Sequence, residues 1–194
     1  MTHAIQFSGL LPRLRNFARG QSGFAAVEFA MILPFMLTCY IGGVEIGDGV
    51  AIDRKVAITT HSVADLATRY NLPLQNSDIA GILGASASII APYAPAPLTV
   101  TVSEVVVDPK GNATIAWSDA LNGSAHAIGS SVTLPGTLGA ATGTAQYYIM
   151  GEVQYAYTPA LGYVMTGTLN LSNQIFMSPR ESACISRVGV YGCP

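Results

Sequence analysis

The chain has 194 residues, 50% of them hydrophobic and 10% charged, with a formal net charge of −2. It holds no basic cluster beyond its first 23 residues, so it lacks the electrostatic footprint that phosphates require, and nucleic acid is excluded as an expected partner. The low charge content points to a membrane-compatible stretch and to a surface built from Ser, Thr and Asn rather than from salt bridges.

Residues 1–23 carry Arg13, Arg15 and Arg19 and no acid. From Phe24 to Ile46 the chain is apolar over about 34 Å of α-helix, enough for the ~30 Å hydrocarbon core of a bilayer. Later apolar runs are short and broken by Pro or polar residues, so one transmembrane helix is expected, over residues 24–47. Its far side begins with Glu45, Asp48 and Asp53. By the positive-inside rule, residues 1–23 form a basic cytoplasmic leader and residues 48–194 are exported. A cleaved secretory signal is the competing reading, but its apolar region is normally only ~7 to 15 residues long.

Within the span, Glu28 is the exception. A carboxylate in lipid costs ~2.5 to 3.5 kcal/mol at a helix centre and less near an end, so Glu28 either has a partner or reaches back to the headgroups. Pro34 removes the hydrogen bond to Ala30 and predicts a bend. Gly43 and Gly47 form a small-xxx-small pair through which a second helix could approach. Glu45 and Asp48 are expected to be hydrated at the exported interface, and Cys39 to be an inert apolar residue.

Helical periodicity continues beyond the span. Ile52, Val56, Thr59, Val63, Leu66 and Tyr70 recur at steps of four and three, while Asp53, Arg54, Thr60, His61 and Thr68 fall largely elsewhere. Asn71, Leu72 and Pro73 supply the stop. A second helix is predicted from Ser77 to Ala91, capped by Asn76 or Ser77, with Pro92, Pro95 and Pro97 beyond it. At Leu98 the period changes to two, through Val100 and Val102. The turn Asp108-Pro109-Lys110-Gly111 then leads into Ala113–Trp117, which reads as a hairpin. Ser118 to Thr144, rich in Gly, Ser, Ala and Thr, reads as a long loop. Tyr147–Tyr157 and Leu169–Met177 read as two more strands, separated by Pro159 and Gly162. The expected fold class is α+β: a transmembrane helix continuing into a long amphipathic helix packed on a small antiparallel sheet. The exported part is large enough for one domain with its own core.

In an exported segment Cys184 and Cys193 can form a lasting disulfide that closes a terminal loop. A zinc site is the rival, and two thiols without a nearby His, Asp or third Cys make a poor one. His3, His61 and His126 are isolated from one another and from the cysteines. No G-x-S-x-G, GK[ST] loop or H-E-x-x-H occurs, so no catalytic residue, metal or cofactor is expected.

The run GFAAVEFAMILPFMLTCYIGGVEIG, from Gly23 to Gly47, resembles the N-terminus of TadE-like pseudopilins of the tight-adherence (Flp) pilus system. Leu33-Pro34 and Glu45 fall where that family tends to have them. VQYAYTP and QIFMSPR are more weakly similar to its closing strands. The resemblance implies a pilin-like protein cut between Gly23 and Phe24 by a prepilin peptidase on the cytoplasmic face. It also implies that Glu28 pairs with the new amine of a neighbouring subunit. The expected setting is the bacterial inner membrane, with the peptidase, other pilus-assembly or pilin subunits and the lipid bilayer as partners. The alternatives are an uncleaved, signal-anchored envelope scaffold and a membrane-tethered exported enzyme.

Overall fold

A computed structural model describes residues 22–136, 138, 143–159, 162 and 166–193. Arg13, Arg15, Arg19 and His3 of the expected leader lie outside the described residues, as do 137 and 139–142 of the expected loop. The described part is α+β: a long apolar N-terminal helix, a shorter helix and an antiparallel sheet of four strands.

Helix α1 runs over Ser22–Thr68, 47 residues without interruption, through Pro34. It is about 70 Å long. Its buried seam follows Gly42, Glu45, Gly49, Ile52, Val56, Thr59 and Val63, an alternation of three and four that starts nearly three turns before Ile52, where the expected amphipathic stripe begins. Above Val56 the buried face is also wider than the pattern predicted. Thr60, Ala64, Ala67 and Thr68 are buried, whereas Leu66 and Tyr70 are only partly so. Thr60 and Thr68 were expected off this face. They tolerate burial because their hydroxyls donate to the helix's own carbonyls, Thr60 to Val56 at 2.8 Å and Thr68 to Asp65 at 2.7 Å.

Helix α2 spans Asn76–Ile90 and is entered through Gln75, one residue before the expected cap. The Asp78 carboxylate accepts the Gln75 N–H at 2.9 Å. Ile79, Ile82, Leu83 and Ile90 face the core. Lys55 of α1 donates to the carbonyls of Ile89 (3.0 Å) and Ala91 (2.8 Å), tying the negative end of α2 to α1.

The strands are β1 (Leu98–Val107), β2 (Ala113–Leu121), β3 (Gln146–Tyr157) and β4 (Leu169–Met177), in spatial order β2-β1-β3-β4. β4 has the predicted bounds, while β1 and β2 each run four residues past the expected stretches. Leu98, Val100, Val102, Ile149, Val153 and Trp117 fill the core against both helices. The far face carries a smaller cluster of Val105, Val107, Ala113, Ile115 and Met150, against which Val132 and Leu134 pack. The expected loop is therefore partly ordered pairing. The N–H of Gly129 donates to Ile115, and those of Ile115 and Val132 donate and are bonded to Ser130 and Ala113 respectively, which closes part of the outer edge of β2.

β3 runs opposite to α1. A side chain begun at Gly151 would meet Ala64 Cβ at 3.0 Å and the Thr60 carbonyl oxygen at 3.2 Å, and six residues on, the Tyr157 ring lies 3.8 Å from where one would begin at Gly49. Six strand residues cover about 20 Å, matching about 13 helix residues. Gly151 thus permits the closest approach of sheet to helix. Gly151→Val is expected to push the layers apart and to cost about 1–3 kcal/mol, read from urea unfolding of the full chain in detergent micelles.

Candidate functional site

Gly23, Phe24 and Glu28 occupy the first two turns of α1. Phe24 and Glu28 are one turn apart on the same face and both are exposed. Residues 24–40 are exposed on every side of the helix, including Phe24 (69%), Phe35 (71%) and Tyr40 (72%). An apolar helix uncovered all round has no stable place in water. By length and composition it can cross a membrane. Cys39 lies on this exposed stretch as a free thiol.

The cover begins at Gly42. Gly43 and Gly47 stay on the outer face, with no atom within 4 Å of where a side chain would start. Glu45 differs from the expectation of a hydrated residue: it is only 3% exposed, because the seam that faces the domain continues down through it. Burial raises the Tyr157 hydroxyl pKa above its ordinary value, and the charges of Asp48 and Glu45 push it the same way. Asp48, one turn on, is exposed as expected.

At the other end, Cys184 and Cys193 form the expected disulfide, with Cα atoms 6.0 Å apart. The loop it closes presents two buried residues to the core, Ile185 and Arg187. The Ile185 N–H donates to Glu104 Oε1 at 2.7 Å. Trp117 Nε1 donates both to Glu104 Oε2 at 3.1 Å and to the Ile185 carbonyl at 2.7 Å. Arg187 reaches Asp119 Oδ2 at 2.8 Å, Asn76 Oδ1 at 2.8 Å and the Leu74 carbonyl at 3.2 Å. Main-chain bonds from Leu74 to Ser186 and from Val188 to Leu74 complete the joint. The terminal loop therefore fastens β1, β2 and the connection between the helices.

Glu104 was not singled out from the sequence, although the signal was present: it continues the inward phase of Leu98, Val100 and Val102. It is fully buried, and burial raises its carboxyl pKa to about 7 against the two donors, which lower it. Burial, with Tyr147 and Glu104 nearby, likewise pushes the Tyr191 hydroxyl up to about 12.

His126 comes to rest on the sheet's far face, where its Nε2 pairs with the Glu152 carboxylate. Gln174 donates to the other oxygen of Glu152 at 2.9 Å. The backbone N–H of His126, rather than its ring, donates to the Ser118 hydroxyl. His61 is exposed on α1. Among the described residues no three His, Cys, Asp or Glu side chains are grouped so as to hold a metal ion.

Because the Glu104 carboxyl holds its proton more tightly folded than unfolded, stability should be greatest near the ordinary pKa of 4.5 and below. It should fall as pH rises through about 7, by up to about 3 kcal/mol. Urea midpoints at pH 5 and pH 8 measure this slope, and Glu104→Gln should flatten it. Cys193→Ser should cost about 2–3 kcal/mol through the lost loop constraint. Arg187→Ala should cost about 1–3 kcal/mol by removing the bonds to Asp119, Asn76 and the Leu74 carbonyl, and both are read in the same unfolding experiment.

In comparisons with protein-family models, with curated proteins and with solved structures, nothing matches this chain.

Proposed function

We propose that the chain is a single-pass pseudopilin of the bacterial inner membrane, resembling the TadE-like proteins and acting in assembly of a tight-adherence (Flp-type) pilus. The observation that carries this reading is the uncovered apolar helix from Phe24 to Tyr40, with Gly23, Phe24 and Glu28 at its start. It runs without a break into the core of a separate α+β domain. A signal sequence has no need of that continuity, whereas a subunit moved by its membrane helix does.

Cleavage after Gly23 by a prepilin peptidase would leave an amine on Phe24, one turn from Glu28 and on the same face. Opposite charges at the bilayer edge would lower the cost of holding each there. Whether the amine belongs to the same chain or to a neighbour, Glu28 has a partner of the right sign. The outward Gly43 and Gly47 leave room for another helix against α1 just where the domain's cover begins. On this reading the leader stays cytoplasmic and the disulfide-closed domain is periplasmic, where its thiols oxidise. The role is structural rather than enzymatic: processing, lateral association with pilin or assembly subunits, and presentation of the domain.

The second reading is an uncleaved, signal-anchored scaffold, which the same helix would serve. N-terminal sequencing and intact mass of the membrane-extracted protein, with and without the prepilin peptidase, separate the two. The expected product begins at Phe24 only when the peptidase is present, and Gly23→Val should block its formation. A chain that keeps Met1 in both strains contradicts processing and leaves the scaffold.

A further inference from the structure

The charges of the α+β domain are sorted along its length. Outside α1, no Asp, Glu, Lys or Arg occurs in residues 79–103, 120–151 or 153–179. Asp108 and Lys110 sit on the turn between β1 and β2, and Asp65, Arg69 and Arg180 meet where α1 ends. The opposite pole, where β1 begins and β3 ends, has no charged residue of its own beside α1. It is formed in part by the connection from α2 to β1, Ala-Pro-Tyr-Ala-Pro-Ala-Pro, in which Ala91, Pro92, Ala94, Pro95 and Ala96 are exposed. The exposed Asn122 lies at the same level, donating to the Leu98 carbonyl at 3.0 Å. Pro92, Pro95 and Pro97 have no N–H, and the Tyr93 N–H is bonded to the Ile90 carbonyl at 3.2 Å. A connection with so few free donors and no charge gives up little on leaving bulk water.

This pole stands beside the last turns of the apolar stretch of α1. Gly42 and Glu45 are buried although the stretch runs on to Ile46, so the domain's cover reaches the level of the span itself. The Tyr157 ring lies 3.8 Å from where a side chain would begin at Gly49. Gly49 is only ~4.5 Å along the helix from Ile46. Glu45, Asp48 and Tyr93 all act electrostatically on Tyr157, and Tyr93 acts on Tyr155, which sets Tyr93 and its prolines near that turn of α1. The Pro97 carbonyl accepts the Ala156 N–H at 3.3 Å and fixes the connection beside the end of β3. A hydrocarbon core of ~30 Å takes up about 20 helical residues, and the headgroup layer extends ~5–8 Å beyond it. Counted from Phe24, the uncharged pole falls at the height of that layer.

We infer that the uncharged pole of the domain is a second membrane contact, in which the Ala91–Pro97 connection rests in the phospholipid headgroup layer of the bilayer that α1 crosses. The half-buried Tyr93 is of the residue type that this layer favours, with an apolar ring and a polar hydroxyl. Because the connection carries no charge, the contact does not select anionic lipids and does not weaken with salt. It need not be strong, since α1 already holds the domain at this height and makes the contact intramolecular in effect. Two attachments, the helix and the pole beside it, then set the tilt of the domain, which one helix alone would leave free. The inference rests on the proposed membrane anchor but not on cleavage of the leader or on pilus assembly.

The test uses the full chain in nanodiscs of neutral phosphatidylcholine, one copy per disc, so that no other protein and no second copy can cover the pole. Ala94→Cys and Ala96→Cys, each in a Cys39→Ser background, carry an NBD fluorophore, and a nitroxide quencher is placed either on the lipid headgroup or deep in the acyl chain. Lys110→Cys, beyond the far end of β1 and about 30 Å from Leu98, and Phe35→Cys serve as references. The expected result is that the headgroup nitroxide quenches most of the emission from positions 94 and 96 and little from position 110, at low and high salt alike. The chain nitroxide should quench position 35. Unquenched labels at 94 and 96 with position 35 quenched would overturn the contact and leave the anchored helix. Equal quenching at 94 and 110, or quenching at 94 that high salt removes, would also overturn it. An unquenched position 35 would remove the anchor and the contact with it.

Discussion

One helix has to meet two incompatible environments, and the rest of the structure follows from that constraint. From Phe24 to Tyr40, α1 is apolar and uncovered on all sides. From Gly42 to Thr68 one face of the same helix is part of a closely packed core. No chain break or loop separates the halves, so whatever holds the first half fixes the position and direction of the second. The sheet reads that direction through β3, which comes close enough to α1 only because residue 151 is glycine. The last turns before the charged residues belong to both halves at once, with Gly43 and Gly47 facing out and Gly42 and Glu45 facing in.

The far pole is held by different physics. The core there is completed by a short loop that the Cys184–Cys193 disulfide closes, and two buried polar residues carry its contacts. Glu104 sits on a central strand and takes hydrogen bonds from Ile185 and Trp117, while Arg187 joins Asp119, Asn76 and Leu74. Buried polar groups of this kind are a weak source of net stability and a strong source of specificity, since removing one partner leaves the other's hydrogen bonds unmade. Here it gives the terminal loop one seat and so fixes the connection between α1 and α2.

Much of this was legible in the sequence because the signals were periodic. Strand β4 has its predicted bounds, the long helix ends within a few residues of the expected Asn71-Leu72-Pro73 stop, and the disulfide joins the expected cysteines. What escaped were residues whose type misleads about their surroundings. Thr60 and Thr68 read as surface residues, yet each satisfies its hydroxyl within its own helix and can be buried. Glu45 reads as an interfacial acid, but it lies on the three-four seam that Ile52 and Val56 define. Glu104 breaks an apolar alternation while keeping its phase, and its donors, Trp117 and Ile185, come from 13 and 81 residues away. The segment after β2 looks featureless because its Gly129–Val132 pairing relies on main-chain groups, which composition does not reveal.

The most direct test of the two-environment helix is an accessibility scan of the full chain in lipid bilayers. Single spin labels would be placed from Phe24 to Val50 in a Cys39→Ser background, with relaxation by oxygen compared against a water-soluble nickel chelate. The expected result is oxygen access at every position from 24 to 40. From Gly42 onward, access should be confined to the outward positions, such as Gly43 and Gly47. Chelate access around Phe29 to Phe35, or a one-sided pattern beginning at Phe24, would contradict it.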